Sequence, residues 1–347
     1  MTLSAEPFAL RGTRQPPSSP AEAFSPRAYL PRARDLAFEA REPGSAAERD
    51  EGLVLAVAVS CLPGLRAAER LTLFRALDGL EPFSVLSTGN IEEIVGRRFK
   101  TARPEALPAL KEAERAAAFL QSREIRAVCF DDPAYPPQLR EIADPPFLLY
   151  VRGRLPDPER ACVAIVGTRD PDARAWTAAR ELARGLAARG VPVVSGLALG
   201  IDRAAHEGAL DREGETVAVL GCGIDAVYPP SHQRLAARIL VAGGAIVSEY
   251  PPGREALRYH FPERNRIVSG LCRSVVVAQA PLKSGALITA DFALEQGRDL
   301  LVLEAGLGGE RGRGGAELAE SGARIVRSAR DIAYEWIGYE DWHQEEG

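Results

Sequence analysis

The run Cys162-Val-Ala-Ile-Val-Gly-Thr-Arg-Asp-Pro171 decides the fold. Cys162 to Val166 are apolar without a break and largely β-branched, which reads as a strand buried on both faces, and Gly167 gives such a strand a tight exit. Asp170-Pro171 supplies an N-cap and a first helical residue, and Gly190 a stop, so a helix is predicted between them. The alternation continues downstream. Short β-branched runs at Cys162–Val166, Val191–Val194, Thr216–Leu220, Ala245–Glu249, Ser274–Gln279 and Asp299–Glu304 are separated by helical stretches, and a last strand falls at Ala323–Val326. This is the pattern of an α/β domain, doubly wound around a mainly parallel sheet.

Working outward, residues 126–152 read as short strands joined by Pro-rich turns, a connector leading into the α/β domain over 126–330. Further upstream, Leu53, Val57, Ala58, Cys61, then Leu71, Phe74, Leu77 and Leu80 fall at helical spacing, so a small helical domain is expected over 51–125. Within it, Leu62-Pro-Gly-Leu-Arg-Ala-Ala-Glu-Arg70 is similar to the turn of a helix-hairpin-helix. Arg66 stands where a second glycine is usual, and plain helix packing accounts for the segment better. Residues 1–50 hold seven prolines and no sustained period. They are expected to form a disordered or extended arm. Residues 331–347 are expected to be a short tail, too few for a winged helix.

The 347 residues carry 43 Lys plus Arg against 48 Asp plus Glu, a net charge of −5, with 46% hydrophobic and 26% charged residues. No apolar run approaches the ~20 residues that span a bilayer, so no membrane insertion is expected. The first residues lack the basic start and apolar core of a secretory signal, and a reducing, cytoplasmic setting is expected. The five cysteines (Cys61, Cys129, Cys162, Cys222, Cys272) contain no Cys-x-x-Cys pair, which argues against a zinc site or a disulfide framework. Acidic balance does not exclude nucleic acid, because phosphate contacts need a local positive patch and not a basic average. The lysines are only Lys100, Lys111 and Lys283, so a lysine inside a motif draws notice.

Ligands of open parallel sheets bind outside the carboxyl ends of the strands, where loops expose helix N-termini. The first strand end offers Gly167-Thr168-Arg169. The dinucleotide fingerprint Gly-x-Gly-x-x-Gly is absent, and a guanidinium aimed at a phosphate fits better. Pairing of Arg169 with Asp170 or Asp172 is the plainer alternative. The second end offers Ser195-Gly196 and Gly200, whose amides could converge on an anion. Asp202 and His206 share a helix face, so acid/base or metal chemistry is conceivable, yet no third ligand supports a metal. Asp202 as an N-cap, with His206 bonded to the neighbouring loop, is the favoured reading. Cys222 reads as a small buried thiol rather than a nucleophile. Arg264-Asn265-Arg266 can grip a phosphate with two guanidiniums while the amide reads a base edge or orients the loop. Salt bridges to Glu249 or Glu263 are the alternative. Lys283-Ser284-Gly285 opens another helix with a point charge for phosphate, but no Walker motif is present. Aromatic residues are sparse in these loops, so electrostatics is expected to outweigh stacking. No pair of catalytic carboxylates and no nucleophile–base couple is evident, and no cofactor is expected. A nucleotide-processing phosphoribohydrolase is the enzymatic alternative. It requires a Pro-Gly-Gly-x-Gly-Thr turn with a catalytic Glu, which the sequence lacks.

The blocks Val163-Ala-Ile-Val-Gly-Thr-Arg169, Val194-Ser-Gly-Leu-Ala-Leu-Gly-Ile-Asp-Arg-Ala-Ala-His206, Phe261-Pro-Glu-Arg-Asn-Arg-Ile-Val-Ser-Gly270 and Lys283-Ser-Gly-Ala-Leu-Ile-Thr-Ala290 resemble, in order, the signature blocks of the DNA-processing protein A (DprA/Smf) family. The resemblance covers residues 52–326. It implies a Rossmann-like core preceded by a sterile-alpha-motif-like (SAM-like) helical domain. It also implies a non-enzymatic mediator of natural transformation that binds and protects single-stranded DNA and loads the recombinase RecA, acting as a homodimer. By motif position, the DNA-contacting cations implied are Arg169, Arg264, Arg266 and Lys283. Many relatives end in a winged helix, for which the expected short tail leaves no room, and this puts double-stranded DNA binding in question. The chain also departs from the family at Glu304-Ala-Gly-Leu-Gly-Gly-Glu-Arg-Gly-Arg-Gly-Gly315, a Gly/Arg stretch expected to be a mobile loop.

Overall fold

The computed structural model describes residues 46–101 and 103–332. Residues 1–45 of the expected arm and 333–347 of the expected tail lie outside these. The first helix already begins at Ala46, so the arm cannot extend to residue 50.

Five helices come first: α1 (Ala46–Cys61), α2 (Ala67–Arg75), α3 (Leu80–Ser84), α4 (Thr88–Val95) and α5 (Ala106–Ser122). Helix α5 buries Ala106, Ala109, Ala113, Ala116, Ala117 and Leu120, spaced along one face, against the apolar run Leu55–Val59 of α1. Helix α4 is bracketed by its own sequence. The Ser87 hydroxyl accepts from the Asn90 amide at 3.2 Å, and Gly96 closes the helix at φ +75°.

The strands are β1 (Arg126–Cys129), β2 (Leu148–Gly153), β3 (Val163–Gly167), β4 (Val193–Ser195), β5 (Thr216–Val219), β6 (Ala245–Ser248), β7 (Ser274–Gln279), β8 (Asp299–Leu303) and β9 (Arg324–Val326). The remaining helices are α6 (Pro137–Arg140), α7 (Ala173–Ala187), α8 (Ile201–Leu210), α9 (Gln233–Val241), α10 (His260–Gly270), α11 (Gly285–Glu295) and α12 (Gly309–Glu320). The sheet runs β1-β2-β6-β5-β4-β3-β7-β8-β9. It is parallel from β6 to β9, and β1 and β2 are added antiparallel at the β6 side. The fold is therefore α/β and Rossmann-like, as expected.

The supposed connector strands are part of the sheet, for a physical reason. Leu148 to Val151 is apolar on both faces and needs cover on both. Leu148 and Tyr150 pack with the five helices, and Leu149 and Val151 pack in the cluster that holds α10 and α11. In β3, likewise, Val163 and Ile165 meet α7 and α8, while Ala164 and Val166 meet the opposite layer. The five helices and the sheet share one core, and the Tyr150 hydroxyl lies 2.9 Å from Ser60 Oγ.

Two local expectations are corrected. Asp172, not Asp170, caps α7, accepting from the Ala175 amide at 2.8 Å. The Gly/Arg stretch is not a loop, because most of it is helix α12. Its glycines serve close approach: a Cβ on Gly312 would fall 2.3 Å from the Gly306 carbonyl oxygen, and one on Gly314 2.9 Å from that of Ala280. A glycine-rich segment reads as flexible until a neighbouring backbone is found where side chains would stand.

From β3 the chain builds outward through β4, β5 and β6, and β7 then returns to the other side of β3. The strand order reverses between β3 and β7, and a crevice at that point is where such sheets take ligands.

Candidate nucleic-acid interface

A cavity of about 700 Å3 opens there, lined from the carboxyl ends of β3 and β4 and from α8, α10 and α11. Nine of the residues singled out from sequence line it: Gly167, Thr168, Arg169, Gly196, Asp202, Arg264, Asn265, Ser284 and Gly285. Ser195, Gly200, His206, Arg266 and Lys283 do not.

The floor is built by glycines that let three segments converge. Gly200, at φ +75°, could not bear a Cβ, which would lie 2.4 Å from the Thr168 carbonyl oxygen. Across this contact the Ile201 amide donates to that oxygen at 3.1 Å. Asp202 stands in the first turn of α8 and is not its N-cap, a place taken by Gly200. Its Oδ2 accepts from the Gly196 and Ala198 amides at 3.1 and 3.2 Å, which folds the loop back over the helix. Beneath Gly196 runs the Arg264 side chain, 4% exposed, whose Nη1 donates to the Val219 carbonyl at 2.6 Å. Burial lowers the Arg264 guanidinium from its ordinary value, and the Asp202 carboxylate opposes this. Burial likewise raises the Asp202 carboxyl, against the pull of Arg264. Arg264 is thus a fixed positive charge under the floor and not a side chain reaching out to solvent.

The rim differs. Arg169 is exposed, and among the described residues no carboxylate lies within 4.0 Å of it. Both acids that might have neutralised it are engaged elsewhere. Asp170 holds Arg311 at 2.6 Å, and Asp172 accepts from Ala175 and from Gln279 Nε2, the latter at 2.6 Å. The guanidinium carbon of Arg169 sits 5.5 Å from the Phe261 ring centroid, and Phe261 lies 5.3 Å from Tyr228, centroid to centroid. Tyr228 is 45% exposed, and exposed Arg258 completes this side. On the opposite side Ser284 stands at the N-cap position of α11 without a side-chain cap bond, and its buried Oγ has no partner among the described residues. Asn265 Nδ2 donates to the Gly285 carbonyl at 3.1 Å, so the amide orients this loop.

Four expectations are revised by these contacts. Ser195 is fully buried, and its Oγ donates to the Ile165 carbonyl at 2.7 Å. Arg266 is 8% exposed and faces inward. It is held bidentately by Glu249 at 2.7 Å twice, and by the backbone oxygen and Oδ2 of Asp144 at 2.9 and 3.1 Å. Lys283 is exposed in a left-handed backbone turn, φ +60°, beside the cavity but not lining it. His206 is fully buried, and its Nδ1 meets Thr216 Oγ1 on β5 at 2.8 Å, not a neighbouring loop.

Sequence reasoning missed Tyr228, Phe261 and Arg258. Phe261 does open the Phe-Pro-Glu-Arg block, but no period links it to Tyr228. Two aromatic rings thus stand at the rim of the cavity, beside loops that the sequence shows to be sparse in aromatic residues. Among the described residues no group of three or more His, Cys, Asp or Glu side chains could hold a metal. Cys222 is 2% exposed, and burial pushes its thiol up to about 11, as suits a core thiol.

A family model described as DNA recombination-mediator protein A matches residues 126–337. The chain belongs to this family. Within it, the chain is 41% identical over 205 residues to the DNA processing protein DprA of Streptococcus pneumoniae, a match covering 59% of this chain and 72% of that one. It is 34% identical over 268 residues to Protein Smf of Borreliella burgdorferi, covering 77% and 83%. It is 41% identical over 225 residues to Protein Smf of Escherichia coli, covering 64% of this chain but only 59% of that protein. The solved structure of the S. pneumoniae protein superposes with a TM-score of 0.64 at 32% identity, covering 82% of this chain and 97% of that one. The structure of DNA processing protein A from Helicobacter pylori, described in terms of that protein's single-stranded DNA binding mode, matches with a TM-score of 0.54 at 30% identity, covering 62% and 96%. The five helices precede the residues matched by the family model.

Proposed function

We propose that this chain is a non-catalytic, cytoplasmic recombination mediator that holds single-stranded DNA across the carboxyl edge of its sheet. The observation that carries the proposal is the rim of the cavity. Arg169 is an exposed guanidinium that forms no ion pair among the described residues, poised on Phe261 beside Tyr228. A strand offers the two things such a rim recognises, a phosphate for the cation and an unpaired base for the rings. Buried Arg264 adds positive potential beneath, and the α11 N-terminus adds the positive end of its helix dipole. Arg169, Arg258 and Lys283 are the cations assigned to the strand in this proposal. Arg264 and Arg266 build the site instead. Family membership extends the proposal to protection of incoming strands in transformation, delivery to the recombinase RecA, and action as a homodimer.

The test is a titration of a labelled oligothymidylate at fixed salt. Arg169→Ala should weaken binding about fivefold at 0.1 M salt and reduce the slope of log affinity against log salt by about 0.7, one released counterion. Binding equal to that of the unaltered protein would overturn the assignment.

A further inference from the structure

The cavity ends at Arg169, but the cationic surface does not. Helix α12 brings Arg311 to the same sheet edge, where its Nη2 pairs with Asp170 Oδ2 at 2.6 Å, one residue from Arg169. Both partners lie open to water, Arg311 at 51% and Asp170 at 82% side-chain exposure. An ion pair so exposed contributes little to stability.

The position of α12 does not depend on the pair. The helix is seated by backbone: the Gly314 amide donates to the Ala280 carbonyl at 2.8 Å, and Gly312 and Gly314 leave no room for a Cβ. Arg311 is thus carried to the edge by packing and meets a carboxylate there that the fold does not need. Of the acids near the rim, Asp202 is buried under two amides and Asp172 is spent as a cap. Asp170 alone among these three presents an exposed negative charge where an incoming phosphate would pass.

We infer that the Asp170–Arg311 pair is an exchangeable phosphate position: in the free protein the Asp170 carboxylate occupies Arg311, and a bound single strand displaces it. The strand then runs beyond the β3–β7 crevice along the edge toward α12. Arg311 is a further binding residue of the proposed site, and Asp170 restrains the affinity of that site. The inference rests on the proposed function, extending it from the crevice to its flank. A phosphate oxygen can replace the carboxylate at little net cost, because both are anionic acceptors for the same guanidinium.

The full chain can be titrated with labelled oligothymidylates of about 6 and about 20 nucleotides, lengths that span typical single-strand site sizes. Arg311→Ala should weaken the longer strand about fivefold at 0.1 M salt and lower its salt slope by about 0.7, with little effect on the shorter one. Asp170→Asn should tighten the longer strand. If Arg311→Ala binds the long strand like the unaltered protein, or Asp170→Asn binds it more weakly, the inference is overturned. The unaltered protein and Arg169→Ala serve as controls. No binding by the unaltered protein would remove the proposed function and this inference together. Binding that responds to Arg169→Ala but not to Arg311→Ala would remove this inference alone.

Discussion

Gly196 and Arg264 compete for the same space: a Cβ on Gly196 would fall 1.9 Å from Arg264 Nη1 and 2.5 Å from its guanidinium carbon. The glycine is a cavity floor one atom thick over a buried cation. Gly196→Ala should therefore expel the guanidinium from its bond to the Val219 carbonyl, at a cost of about 1–3 kcal/mol, typical of overpacking. Urea denaturation reads the loss directly. An unchanged midpoint would mean that Arg264 has another place to go.

The arginines of the Arg264-Asn265-Arg266 block should separate by assay from Arg169. Arg266→Ala strands Glu249 without its bidentate partner in a closed environment, which costs roughly 3–5 kcal/mol. It should appear as a lowered melting temperature whether or not DNA is present. Arg169→Ala should leave the melting temperature within error and act only on binding. A stable Arg266→Ala protein with a pure binding defect would reverse these roles.

Phe261→Ala should weaken single-strand binding by about 1–3 kcal/mol, the range for loss of one stacking platform. Because the lost contact is not ionic, the deficit should persist at high salt, whereas that of Arg169→Ala should shrink. Titrations at two salt concentrations distinguish them, and a Phe261→Ala deficit that vanishes with salt would show the ring to be only a seat for the guanidinium.

Burial holds the His206 imidazole down to about 3, helped by His232 and Arg264 nearby, against ~6.5 in an unfolded chain. Between those values the unfolded chain takes up a proton that the folded chain refuses. The stability tied to this residue is therefore complete above about pH 6.5 and drains away as pH falls toward 3, reaching a loss of about 2 kcal/mol at pH 5. Comparing urea midpoints of the unaltered protein and His206→Gln at about pH 7.5 and about pH 5 isolates the imidazole from other titrating groups. The variant should lose less on acidification, and equal losses would contradict the assignment.

The strands were legible because a parallel sheet covered on both faces demands unbroken apolar runs, and Val163–Val166 or Ser274–Gln279 can be little else. The cavity was legible in outline, since glycines at strand ends mark where segments meet. What a single sequence could not carry was direction. Nothing in Arg264-Asn265-Arg266 states that both guanidiniums turn inward, one under Gly196 and one toward Glu249, because those partners lie 68 and 17 positions away. Ser195 misled for a similar reason: in a glycine loop at a strand end its amide reads as one of several turned toward an anion, until the residue is found fully buried with its hydroxyl on the Ile165 carbonyl. Tyr228 and Phe261 become a pair only when the β5 exit and the start of α10 fold together. Composition misled once more at α12, where glycines meant crowding rather than freedom.

Tyr150 looks into the helical layer while its neighbours Leu149 and Val151 look into the opposite one. Among the described residues the five helices and the strands share one apolar cluster. On heating, they should melt as one body in a single endotherm, so that whatever loosens the helices is felt at the strand ends where the cavity lies.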